Sequence, residues 1–234
     1  MTTDSDAYPP QLAVGLTGSR IADVSPAARA AHRVILRAFA ATGDAPDPAI
    51  LADTTPAGEG LGGLLRELHH RDVIRLDEHG HIRAAYPFSG IPTAHTVAID
   101  AGATVYAMCA IDALGIADML GRNTTITSAD PVSSQEIRVS VVNGRATWEP
   151  PTVVVFVGAD SAAELPRGDC CPPSADGRGT GAAADRCCGV MNFFTSPASA
   201  QDWLASHPTV SGVVLNQGQA LRLGVDMFGR LLDD

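Results

Sequence analysis

Lysine is absent from this 234-residue chain, and all sixteen basic residues are arginine. Asp and Glu number 26, which sets the formal net charge at −10. A chain that acidic offers no general footprint for a nucleic acid. Nor does any run approach the roughly 18 uninterrupted apolar residues of a membrane span. Residues 1–10 are polar and acidic, without the basic-then-apolar layout of a secretory signal, so the expected location is the cytoplasm. Cysteine is scarce and odd in number: Cys109, then Cys170-Cys171 and Cys187-Cys188. Adjacent cysteines make poor disulfides, and in a reducing compartment these thiols read better as metal or catalytic groups.

Apolar residues are plentiful, at 45% against 18% charged, enough for a packed core in one large domain or two small ones. Residues 1–24 are rich in Thr, Asp, Pro and Gly and read as a flexible or loosely docked arm. Ser25-Pro26 then supplies a cap and a first-turn proline. Val34, Ile35, Ala38 and Phe39 recur at helical spacing, and Thr42-Gly43 closes the helix. A short helix follows Asp47-Pro48, and Leu61, Leu64, Leu65 and Leu68 mark a third. Val73 to Leu76, the turn Asp77-Glu78-His79-Gly80 and His81 to Ala85 form a hairpin. Three helices and a hairpin give a winged-helix-like domain over 25–95. Its third helix mixes Glu59, Arg66, Glu67, His69, His70 and Arg71, a poor face for phosphates, so the expected role is structural and not DNA binding. His69, His70, His79 and His81 read as solvent-exposed and not as a metal site.

From 96 to 234 strands and helices form a second unit, built on a mixed sheet with flanking helices; the overall class is α+β. Asn143-Gly144 is a strong hairpin turn, and residues 217–232 make a closing amphipathic helix. Residues 158–186 form a Pro- and Gly-rich inserted loop that carries Cys170 and Cys171.

The chemistry concentrates in Tyr106-Ala107-Met108-Cys109-Ala110-Ile111-Asp112. Read as one helix over 106–120, this run sets Cys109 and Asp112 three residues apart on neighbouring positions. Cys109 alone could be a small core hydrophobe, but an Asp facing an apolar interior is costly unless it has a task. A soft metal held by two thiolates beside a carboxylic acid is the simplest chemistry that uses Cys109, Asp112 and the distal Cys187-Cys188 together. Met108, Met119 and Met191 read as core that lends a soft surrounding.

These residues resemble the alkylmercury lyase family. The Cys-x-x-Asp run with Leu120-Gly121-Arg122, and Cys187-Cys188 before Phe193-Phe194 and Ser199-Ala200-Gln201-Asp202-Trp203, carry the likeness over roughly 26–232. The resemblance makes 96–234 the catalytic domain. It implies protonolysis of a carbon–mercury bond, giving a hydrocarbon and Hg(II), with no organic cofactor. Cys109 and Cys187 match the catalytic thiols, Asp112 the proton carrier, and Cys188 a neighbouring thiol that meets mercury but is not itself essential in the family. Small thiols or a mercuric reductase would then take the Hg(II). The chain departs from the family at 127–131, where a structural Cys has no counterpart, and in Cys170-Cys171, candidates for a metal relay. The alternative is a soft-metal carrier for Hg(II) or Cu(I) that has lost the lyase step.

Overall fold

The computed structural model describes residues 6–13, 17–53, 60–160 and 188–233. Part of the stretch read as an arm is helical, α1 at Thr17–Ala22, and Arg20 on it pairs with Asp72 at 2.7 Å. Ser25 caps α2 (Pro26–Thr42), its hydroxyl accepting from Ala28 N–H at 3.2 Å. Gly43 ends the helix in the left-handed conformation (φ 86°) that a side chain would resist. Helices α3 (Pro48–Asp53) and α4 (Leu61–His70) follow. The expected hairpin is β1 (Ile74–Leu76) and β2 (Ile82–Ala85), turned where Gly80 N–H donates to the Asp77 carbonyl at 3.0 Å.

That hairpin is the edge of a larger sheet. Through β3 (Phe88–Ser89) it continues into an eight-stranded sheet with β5 (Thr104–Ala107), β4 (Thr96–Ile99), β6 (Thr124–Ala129), β7 (Glu136–Val142) and β8 (Arg145–Glu149). The order is β1-β2-β3-β5-β4-β6-β7-β8. The register lines Ile74, Ala85, Phe88 and Ala107 along one row and Val105, Val97, Ile126 and Val139 along another, all buried. Asn143 and Gly144 both take positive φ between β7 and β8, as the tight hairpin requires.

A second sheet places β9 (Val154–Asp160) between β10 (Phe193–Phe194) and β11 (Val210–Leu215). The sequence led us to expect a mixed sheet, but every strand pair described is antiparallel. The cause lies in the connections. Hairpins join most neighbours, and the helical crossover from β5 to β6 steps over β4, so those two parallel strands never pair. Strand β9 also reaches Asp160, three residues into the expected insertion.

The crossover is α5 (Ala110–Leu120). It packs on β4, β5, β6 and β9 on one side and on α7 (Gln217–Phe228) on the other, while α6 (Pro197–Ala205) covers the second sheet. Apart from Asp112 and the exposed Asp118, helix α5 is apolar, with every residue from Ala110 to Ala117 buried. It meets α7 so closely that a Cβ on Gly115 would lie 2.7 Å from the Gly224 carbonyl oxygen.

Candidate active site

Helix α5 begins later than its sequence implies. Tyr106 and Ala107 belong to β5, and Cys109 is the N-cap of α5, with extended backbone (φ −155°, ψ −180°). Its sulfur accepts from Asp112 N–H at 3.5 Å. Cys109 and Asp112 do share one small space, but as cap and third residue of a helix rather than as neighbours on its side. A thiol replaces the usual Ser, Thr, Asp or Asn at the cap, which is why the start was not legible.

The distal segment docks on this same helix end. Ala110 N–H donates to the Met191 carbonyl at 3.1 Å, and Met191 Sδ lies 3.9 Å from Cys109 Sγ. Cys188 Sγ donates to Asp112 Oδ2 at 3.8 Å. The ligand atoms of Cys109, Asp112 and Cys188 all lie within 4.8 Å of one another, and all three residues are buried. Two metal–sulfur bonds of about 2.3 Å reach about 4.6 Å, close to that limit. His69, His70, His79 and His81 take no part in this group. Cys187, Cys170 and Cys171 lie outside the described residues.

Burial dominates the acid–base properties. It pushes the Asp112 carboxyl from its ordinary 3.8 up to about 7, against hydrogen bonds from the Cys109 and Cys188 thiols that favour the anion. The positive end of α5 favours the anion as well, and burial still wins. Burial also pushes the Cys109 thiol up, and the Asp112 charge adds to that. A helix N-terminus ordinarily lowers a thiol's pKa, so the apolar setting again outweighs it. Cys109 therefore holds its proton at rest near neutrality, and Asp112, at about 7, is poised to give or take one.

Two buried polar groups that sequence reasoning missed hold the distal segment in place. Asp130, just past β6, accepts from Thr195 N–H (2.7 Å), the Thr195 hydroxyl (2.7 Å), the Ser199 hydroxyl (2.7 Å) and Val132 N–H (2.8 Å). Burial alone would raise its pKa; these donors overcome that and hold it at about 2. His95 meets Ser128 Oγ at 2.9 Å and sits edge-on to Phe193 at 5.6 Å. Burial lowers its pKa to about 4, which keeps it neutral. The only signal for either was a polar residue at a strand end whose partners are far away in sequence.

A family model described as alkylmercury lyase matches residues 88–229, more than half the chain. The chain belongs to the alkylmercury lyase family. An alkylmercury lyase of Staphylococcus epidermidis is 30% identical over 200 residues, covering 85% of this chain and 81% of that one. One from Bacillus cereus is 29% identical over 172 residues, covering 73% and 69%. In fold, the lyase-family chain is similar to the mercury-bound form of MerB2, with TM-score 0.69 and 21% identity over 96% of this chain and 100% of the other. Among the described residues no helix is long and apolar enough to cross a membrane.

Proposed function

We propose that this alkylmercury lyase cleaves the carbon–mercury bond of organomercurials with Cys109, Cys188 and Asp112. The observation that carries the reading is the burial of two soft sulfur ligands and one proton carrier within 4.8 Å of each other. Mercury enters as R–Hg–SR′, its metal bound to one carbon and one small thiolate. Cys109 displaces R′S⁻, and the proton it loses leaves on R′SH. Cys188 then bonds to mercury and gives its proton to Asp112, which its thiol already faces. Asp112 delivers that proton to carbon as the Hg–C bond breaks. The products are RH, R′SH and Hg(II) bridging two sulfurs; no electron changes hands. Thiolates suit mercury far better than carboxylates do, so the metal stays on sulfur and Asp112 is free to carry protons.

Small thiols, or a mercuric reductase in the cytoplasm, receive the Hg(II). Helices α2, α3 and α4 with the β1–β2 hairpin serve in this reading as a winged-helix-like cover and not as a nucleic-acid module. A mercury carrier without lyase activity is the weaker reading, because simple binding leaves a buried Asp without a task. Headspace chromatography of methane from methylmercury and excess 2-mercaptoethanol tests the assignment. Wild type and Cys187→Ala are expected to release methane, and Cys109→Ala and Cys188→Ala to lose it. Full methane release by Cys188→Ala, with none by Cys187→Ala, would move the second thiol to Cys187. Mercury retained without methane in the wild type would establish the carrier.

A further inference from the structure

A cavity of about 300 Å³ opens onto the Cys188 side of the site. Cys188, His95 and Ser89 line its buried end, and Arg75 and Arg83 stand on its wall toward solvent. The strand register explains the placement: Arg75 pairs with Ala84, and Ala84 with Ser89, so the three share one face of the sheet at the cavity. Arg83 precedes Ala84, is exposed, and lines the cavity where the β1–β2 register is irregular beside Arg75 and Leu76.

The charge of this wall runs against the rest of the molecule. The chain carries −10, yet among the described residues the lining includes two arginines and neither Asp nor Glu. His95, on the same wall, is neutral. A mouth meant only for methylmercury would need no positive charge, since the group at carbon is apolar. Arginine is the side chain best shaped to hold a carboxylate, through paired N–H donors. The volume equals about ten waters, room for a small thiol or an aryl group carried on mercury.

Resting on the lyase reading above, we propose that Arg75 and Arg83 form a binding site for an organic carboxylate borne by one of mercury's two ligands. The carboxylate comes either from the thiol that accompanies mercury or from the carbon group that leaves. Two sets of substrates, given to the full-length protein, separate these sources. The first set presents methylmercury as its mercaptoacetate, 2-mercaptoethanol or cysteamine adduct, compared at equal adduct concentration. The second compares 4-carboxyphenylmercury with phenylmercury, both as 2-mercaptoethanol adducts.

In at least one set the carboxylate substrate is expected to show about tenfold higher kcat/KM for hydrocarbon release. That advantage is expected to vanish in Arg75→Gln/Arg83→Gln and in the exposed single variant Arg83→Glu, and to shrink with added salt. An advantage in the first set assigns the site to the thiol, and one in the second to the leaving group. Equal rates within both sets, with hydrocarbon still formed, would overturn this inference and leave the lyase reading intact. An advantage that survives both variants would also overturn it. Absence of hydrocarbon from every adduct would overturn the lyase reading and this inference with it.

Discussion

Replacing Asp112 by Asn should stabilise the protein while it abolishes the reaction. Asn keeps the size of the side chain and removes the charge that burial opposes. The gap between the ordinary 3.8 and about 7 is worth about 4 kcal/mol. The sign follows from proton binding. Between pH 3.8 and 7 the folded protein holds a proton on Asp112 that the unfolded chain has released, so stability falls as pH rises through this window. Above pH 7 both states are ionised and the full penalty stands. The difference in unfolding free energy, Asp112→Asn minus wild type, should therefore be small near pH 4 and rise to as much as about 4 kcal/mol by pH 8. Taking the difference at each pH cancels other groups, including His95, whose depressed pKa makes stability rise with pH over part of the same range. Urea denaturation from pH 4.5 to 8 supplies the curve, and methane release should drop about 10²- to 10⁴-fold. A variant less stable than wild type at pH 8, or one that still turns over, would refute the account of Asp112 as a buried proton carrier.

Three further outcomes follow from the packing. Asp130→Asn should cost about 2 kcal/mol at pH 7. Because the folded pKa is depressed to about 2, that difference should hold above pH 3.8 and disappear as pH falls toward 2, which denaturation at pH 7 and pH 2.5 checks. Gly115→Ala should lower the melting temperature by the equivalent of about 1–3 kcal/mol, because its Cβ meets both the Gly224 carbonyl and the side chain of Phe228, which is buried and has little room to yield. Gly63→Ala in α4 should raise it by about 0.5–1 kcal/mol, since a Cβ there has nothing within 4 Å, and calorimetry of the pair would expose a wrong account of either position.

Much of the fold was legible because its signals are local. Ser25-Pro26 and Gly43 bound α2, and Asn143-Gly144 turns β7 into β8, as the residue types require. The site was half legible. Cys109 with Asp112 could be read, since they lie three residues apart under either a helical or a capping geometry. The start of α5 could not, because Val105, Tyr106 and Ala107 are as compatible with an apolar helix as with a strand, and only pairing to β3 and β4 decides. The resemblance gave Cys187 the second catalytic role; Cys187 lies outside the described residues, and the thiol that meets Asp112 among them is Cys188. The bond from Ala110 N–H to the Met191 carbonyl fixes the register of the distal segment, and with it the approach of Cys188 to Asp112. Asp130 and His95 were invisible for the same reason: Thr195 and Ser128 are distant in sequence, and nothing local announces them.

Asp112 sits where two requirements meet. A carbon leaving group demands an acid that holds its proton until the Hg–C bond breaks, and so a raised pKa. Burial in an apolar helix supplies that, but a buried group wanders unless its backbone is fixed. The third position of α5 fixes it: Asp112 N–H is already committed to Cys109 Sγ, and Ala113 N–H donates to the Cys109 carbonyl at 3.0 Å. The same cap that aims the carboxyl thus aims the thiol. In the proposed reaction, when mercury takes Cys109, the sulfur keeps its place because the backbone bond from Ala113 does not depend on it. The acid need not be reoriented between accepting a proton from one thiol and passing it to carbon, which is what a reaction confined to a span of 4.8 Å requires.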